Sequence, residues 1–254
     1  MFVHNIDPVI ARIGFLEIRY YSLAYILGFL LSYFILLHYV KKNKIYNMDR
    51  DKLDTFLIYI ILGTIIGARV GYFFTKESNP LAHLIDIFKV WQGGMSFHGG
   101  LIGIILVTLI FCRKYKIKFY DLADILVIPT AFALFLGRIM NFINGELVGI
   151  VTNVKWCFLF KWYNGCRHPS QLYEAGKNLF IFFVLLNLNK KKEKFKSGTL
   201  FWLFILMYGL LRFIITFLRD DPRIFGLSGG QWLSLSMFII ALIVLIKRRK
   251  WVGY

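Results

Sequence analysis

The sequence predicts an all-α, polytopic membrane protein of one domain, residues 1–254, with seven transmembrane helices, its N-terminus outside and its C-terminus in the cytoplasm. Two observations predict the fold class and a third sets its direction. Hydrophobic residues fill 58% of the positions, charged ones 18%, and mean hydropathy is +0.62, more apolar than an ordinary soluble domain. Those apolar residues gather into seven blocks, each close to the ~20 residues that a helix needs to cross a hydrocarbon core. A spanning barrel would show short alternating segments instead. The direction comes from how the net charge of +17 is distributed.

The blocks cover 20–40, 53–75, 94–112, 122–142, 171–188, 198–218 and 229–246. The first lacks the basic start and short core of a cleaved signal peptide and reads as a true span. Between the blocks, segments 41–52, 113–120, 190–197 and 247–254 hold 18 Lys and Arg. The arm 1–19 and loops 76–93, 143–170 and 219–228 hold 9. Positively charged loops stay inside, so the first set is cytoplasmic, and an odd number of spans leaves the N-terminus outside. The basic excess is spread over short turns with no nucleic-acid motif, which points to orientation and anionic headgroups and away from nucleic acid.

Two outer elements are long enough for structure of their own, the arm 1–19 and the loop 143–170. The loop carries Trp156, Trp162 and Tyr163, which fit either an interfacial aromatic belt or a substrate-facing head. Cys157 and Cys166 share it; a disulfide and two free thiols both suit that spacing, while Cys112 stands alone at an inner helix end.

The remaining four basic residues, Arg69, Arg138, Lys177 and Arg212, fall inside the blocks. At about 1.5 Å per residue, Arg69 and Arg138 lie about 24 Å from the inner ends of their helices and Arg212 about 21 Å. Tyr21, His98 and Glu174 lie near the outer ends of theirs. Snorkelling to the surface accounts for Lys177 and Arg69. Arginines as deep as Arg138 and Arg212 call for a polar cavity open to the outer leaflet. A pair of guanidinium forks suits phosphate or carboxylate, and an anion arriving from the outer leaflet is most simply a phospholipid headgroup.

Local patterns add detail. GGMSFHGG at 93–100 sets His98 between glycine pairs that permit close helix or ligand approach. GRIMNFINGELVG at 137–149 puts Arg138 and Asn141 on one helix face, breaks at Asn144-Gly145 and presents Glu146. YGLLRFIITFLR at 208–219 sets Tyr208, Arg212 and Arg219 on one side of a helix. Asp121 and Asp124 stand at a cytoplasmic helix start, where acids stabilise the dipole, and no further ligands accompany them, so no metal site is expected. Walker, HExxH and GxSxG motifs are absent.

Taken together, these runs resemble the prolipoprotein diacylglyceryl transferase family of bacterial inner membranes. The resemblance spans nearly the whole chain, from DPVI at 7–10 and YYSLAYILGF at 20–29 through GARVGY at 67–72, GGMSFHGGLIG at 93–103 and the 137–149 run to HPSQLYEA at 168–175 and YGLLRF at 208–213. It implies transfer of a diacylglyceryl group from phosphatidylglycerol to the lipobox cysteine of a preprolipoprotein, with glycerol phosphate released and a thioether left. By the same resemblance Arg138 is the phosphatidylglycerol-binding arginine, with Asn141, Glu146 and Gly149 in its segment. His98, Tyr21, Tyr208 and Arg212 match the other positions tied to activity. Arg138 and Arg212 are assigned to the phosphate, His98 to the thiol proton, and Tyr21 and Tyr208 to headgroup oxygens. Neither metal nor diffusible cofactor is implied.

The chain departs from the family pattern in three places. Thr216 stands four residues after Arg212, where a glutamate is usual, with Glu146, Asp220 and Asp221 as substitutes for that acid. Met140 replaces a glycine, and the short segment between Gly149 and His168 implies a reduced outer head. Apart from the family, buried arginines also permit an anion transporter, but no repeated halves are visible and the polar residues lie off the midplane. An inactive relative acting as a binding protein is a third reading, motivated by Thr216.

Overall fold

The computed structural model describes residues 1–13, 16–76, 87–88 and 94–249. Its helices are α1 (Tyr20–Lys41), α2 (Arg50–Lys76), α3 (Phe97–Lys114), α4 (Phe119–Ile143), α5 (Ser170–Asn189), α6 (Thr199–Ile215) and α7 (Gly229–Arg249). Six of them, all but α5, are long and apolar enough to cross a membrane. The α5 helix spends its first turns on Ser170, Gln171, Glu174, Lys177 and Asn178, all buried. The sequence predicts α5 as a span like the others; its buried polar face lowers its hydropathy below that of the other six.

The surface is apolar where that of a soluble protein would be polar. Outward-facing positions are large and apolar, as in Ile58 and Ile66 of α2 and Leu233 and Ile240 of α7, whereas Gln231 and Ser234 of α7 are buried. Lipid offers no hydrophobic reason to hide a leucine, so small and polar residues join large apolar ones such as Leu53 and Ile125 where the helices meet. Chain contacts divide the molecule into two compact units, 33–122 and 1–32 with 123–254.

In the unit 33–122, α2 and α3 meet along glycine. Gly63, Gly67 and Gly71 recur every fourth residue on α2 and face Gly99, Gly103 and Val107 of α3. A Cβ at Gly67 would lie 2.5 Å from the Gly99 carbonyl oxygen, one at Gly71 would lie 2.7 Å from the Gly99 Cα, and one at Gly103 would overlap the Gly63 carbonyl. Near the N-terminus of α2 and the C-terminus of α3, the rings of Phe56 and Phe111 pack at a tilt with centres 4.8 Å apart. Arg69 is buried and does not snorkel: its Nε donates to the Ile87 carbonyl at 3.0 Å and its Nη1 to the Gly94 carbonyl at 3.1 Å. It therefore ties the segment before α3 to α2.

In the other unit, α4–α7 carry short strands at one end. Strands β1 (Phe2–Val3), β4 (Phe158–Leu159) and β5 (Cys166–Arg167) form one small sheet, with β1 parallel to β4. The arm also folds as the hairpin β2 (Val9–Ile13) with β3 (Leu16–Arg19), and β6 (Arg223–Ile224) pairs with β7 (Leu227–Ser228) before α7. These strands are the departure from an all-α chain, and they lie in the arm 1–19 and in the loops after α4 and α6. Cys157 and Cys166 are joined by a disulfide, with Cα atoms 5.6 Å apart, which settles the alternative left open by spacing. His4, Phe142, Phe158 and Phe160 pack around the docked arm.

Two helix starts in this unit use side-chain caps. At α7, Ser228 and Gln231 cap reciprocally: the Ser228 amide donates to Gln231 Oε1 at 2.9 Å and the Gln231 amide to Ser228 Oγ at 3.2 Å. At α6 the cap comes from another helix. The buried Asp124 carboxylate of α4 accepts the amides of Gly198 at 2.7 Å and Phe201 at 2.8 Å. Asp124 thus serves the N-terminus of α6, not only the dipole of its own helix. Among the described residues no group of His, Cys, Asp and Glu could hold a metal ion.

Candidate active site

The C-terminal end of α4, the N-terminal end of α5 and the C-terminal end of α6 bring their polar residues together. Arg138 sits a turn before the end of α4, and its Nη1 donates to Asn141 Oδ1 at 3.2 Å. The chain then turns at Gly145, whose φ of 67° suits glycine. That turn carries Glu146 back beneath the helix, where its Oε1 accepts Nδ2 of Asn141 at 2.7 Å and Nδ2 of Asn144 at 3.3 Å. Gln171 Nε2 donates to the Glu146 carbonyl at 2.6 Å and Ser170 Oγ to the Leu147 carbonyl at 2.8 Å. Glu146 therefore holds Asn141, Asn141 holds Arg138, and the first turn of α5 holds the loop.

Glu174 of α5 is the hub. Its side chain is 1% exposed and three cations from three helices surround it. Lys177 Nζ approaches Oε2 at 2.8 Å, Arg212 Nη1 approaches Oε1 at 3.3 Å, and Arg138 Nε stands 3.8 Å from Oε2. A lone buried carboxylate or guanidinium in such a place would be costly; each here is offset by the others. The Lys177 ammonium also lies 3.8 Å from the ring centre of Tyr208. This corrects the snorkelling expected of Lys177, whose side chain is 1% exposed and points inward because Glu174, one turn earlier on the same helix, is the nearer partner.

The acid missing after Arg212 is also accounted for. Thr216 is buried, and its hydroxyl donates back to the Arg212 carbonyl at 2.7 Å. Glu174 pairs with Arg212 instead. The three acids considered as substitutes have other work: Asp221 pairs with Arg219 at 2.9 Å, Asp220 with Arg167 at 2.6 Å, and Glu146 with the two asparagines. Gly149 lies where the loop passes between neighbours, and a Cβ there would come within 2.6 Å of both His168 and the Leu218 carbonyl. Its amide donates to the His168 carbonyl at 2.9 Å. His168 Nδ1 in turn lies 3.0 Å from the Tyr173 hydroxyl, which accepts Trp156 Nε1 at 2.8 Å. Burial holds the His168 imidazolium below the ordinary histidine pKa.

Arg138, Asn141, Glu146, Arg212 and Tyr208 are thus brought together, through Glu174 and Lys177. His98 belongs to the other unit, exposed on the first turn of α3, where Ser96 Oγ accepts the Gly99 amide at 3.2 Å. Tyr21 lies in the first turn of α1, and its side chain is outside the described residues. Sequence reasoning noted Glu174 only as one polar residue among several. Its central role was signalled by a carboxylate and an ammonium three residues apart in an otherwise apolar block, the spacing of a helical ion pair.

A cluster of basic groups around one buried acid can grip an anion. The family model for prolipoprotein diacylglyceryl transferase matches residues 8–247. The phosphatidylglycerol–prolipoprotein diacylglyceryl transferase of Geobacter sulfurreducens is 43% identical over 255 residues, covering 97% of each chain. Its namesake in Ehrlichia ruminantium (strain Gardel) is 41% identical, covering 95% of this chain and 96% of its own. That of Bordetella avium is 40% identical, covering 96% of both. The chain belongs to the prolipoprotein diacylglyceryl transferase family.

Proposed function

We propose that the chain transfers the diacylglyceryl group of phosphatidylglycerol to the lipobox cysteine thiol of a preprolipoprotein, the first step of bacterial lipoprotein maturation. The observation that carries this reading is the cluster of Arg138 and Arg212 around Glu174, in a chain about 40% identical to enzymes named for that reaction. The cysteine sulfur bonds to the glyceryl carbon as the carbon–oxygen bond to phosphate breaks. The electron pair stays on the phosphate oxygen, glycerol phosphate leaves, and the thiol proton passes to a base.

The residues divide this work. Arg138 and Arg212 bind the phosphate and meet its growing charge, a kind of stabilisation that is often the largest catalytic contribution. Asn141 and Glu146 keep the Arg138 guanidinium oriented, and Gly149 lets the loop close up against His168 and Leu218. Tyr21 and Tyr208 orient headgroup oxygens. His98 takes the proton of a thiol whose ordinary pKa is about 8.5 and which needs help to ionise. No metal or diffusible cofactor enters this displacement at the glyceryl carbon.

The enzyme is one membrane domain in the bacterial inner membrane, crossing it seven times with α5 as the seventh span. Its N-terminus is outside, its C-terminus cytoplasmic, and its site faces the outer leaflet. The loop charges support this orientation. So does the disulfide between Cys157 and Cys166 in the loop after α4, which suits an oxidising compartment. Six spans would leave both termini on one side, so labelling of single cysteines at the two ends tests the count.

The activity test is direct. Purified protein is incubated with phosphatidylglycerol and a lipobox peptide, and the peptide is weighed by mass spectrometry. A diacylglyceryl adduct on the cysteine is expected; its absence, with a known family member active alongside, removes the proposal.

A further inference from the structure

Of the cations at Glu174, Lys177 is the closest and the most buried. Lys177 and Glu174 are each 1% exposed in their side chains, whereas Arg138 is 15% and Arg212 19% exposed. The ammonium is fixed between Glu174 at 2.8 Å and the face of Tyr208 at 3.8 Å. A lysine held there cannot itself reach a lipid headgroup. The two guanidinium groups, with five donors each, keep most of their hydrogen-bonding capacity for a ligand.

We propose that Lys177 is a positioning residue for the phosphate: it neutralises Glu174 from within and so leaves the charges of Arg138 and Arg212 uncompensated. Three cations around one carboxylate leave a surplus of two positive charges. The inference rests on the transfer reaction proposed above. There the substrate is a phosphodiester with one negative charge, and the product is a phosphate monoester that carries up to two, with its second ionisation near pH 6. A surplus of two therefore suits the product and the charge developing on the way to it better than it suits the substrate. Without Lys177, Glu174 would cancel one guanidinium and the surplus would fall to one.

The test uses the full-length protein in mixed micelles, with the kinetics of peptide modification and calorimetry of glycerol phosphate binding. Lys177→Met keeps the side-chain length and removes the charge. Its dissociation constant for glycerol phosphate should rise about thirtyfold, the low end of the scale for losing one partner of a buried charge pair. The KM for phosphatidylglycerol should rise only about threefold or less, because that ligand carries one charge. A merely structural role would weaken both alike. In Lys177→Met/Glu174→Gln the carboxylate that captures a guanidinium is gone, and glycerol phosphate affinity should return to within about threefold of the wild type. Equal weakening of both ligands, or a double variant no better than the single one, overturns the proposal. If the single variant does not accumulate, the double variant decides alone, since removing a buried pair together is tolerated far better than orphaning one charge; an affinity more than about tenfold below wild type then refutes it. A wild type that binds glycerol phosphate but modifies no peptide counts against the reaction, not against Lys177.

Discussion

The contact between α2 and α3 is made by taking side chains away, whereas the contact among α4, α5 and α6 is made by burying charged ones. In lipid both devices hold helices together, but at very different cost. Glycines let backbones approach at the expense of some conformational entropy. A carboxylate, a lysine and two arginines must instead be stripped of water and matched to one another. A chain that needed only to hold its helices would use the first device throughout. The second therefore marks where the protein must present charge, and the two regions should respond oppositely to substitution.

The largest effect is expected at the charged contact and on activity alone. Arg212→Ala or Arg138→Ala should lower transfer about a hundredfold or more, the scale of removing one stabilising donor from a reacting centre. The amount of folded protein in membranes should change little, because each arginine is partly exposed and Lys177 remains to pair with Glu174. Near-wild-type transfer in either variant would break the contrast. The glycine seam should do the reverse. Gly103→Val forces a side chain into the Gly63 carbonyl, an overpacking that costs about 2 kcal/mol or more. It should appear as a lower melting temperature in detergent, with transfer per folded molecule reduced less than for the arginine variants.

A third substitution sharpens the contrast, since it tests a buried charge that serves only structure. Asp124 accepts two amides at the start of α6 and has no place in the proposed chemistry. Asp124→Ala should cost about 2 kcal/mol of stability, the upper range for a helix cap, and leave the affinity for glycerol phosphate unchanged. A marked loss of that affinity would tie the N-terminal end of α6 to the site at its C-terminal end.

The same contrast explains what could be read from the sequence. All seven helices were legible because hydrophobic run length is a local property: the block 122–142 became Phe119–Ile143, and 171–188 became Ser170–Asn189. Arg138, Asn141 and Glu146 were legible because they lie within nine residues of one another and the chain turn between them is written as Asn144-Gly145. The partners of Glu174 and Asp124 were not. Glu174 meets Arg138 and Arg212, and Asp124 meets Gly198, across separations that only helix packing can close. Lys177 was misread for a related reason. Snorkelling is the default for a lysine near a helix end, and it is overridden here by an acid one turn away that faces inward. The strands β1 and β4–β7 escaped notice because two-residue pairings carry no periodicity.

The smallest effect concerns His168, which belongs to the loop packing and to neither helix contact. Burial holds its pKa below the ordinary value, so the folded protein resists protonation more than the unfolded chain does. Stability is then full above the unfolded histidine pKa of about 6.5 and is lost as pH falls through the lower folded value. The Tyr173 hydroxyl accepts from Trp156 and has its own proton for His168 Nδ1, an arrangement that favours the neutral ring. Acidification from about pH 7.5 to 5.5 should lower the melting temperature attributable to this site by about a degree, since the group is only partly buried. His168→Gln keeps a polar side chain that does not titrate and should flatten that part of the profile. An unchanged slope in the variant would assign the acid sensitivity elsewhere, with Glu174 and its cations the next groups to test.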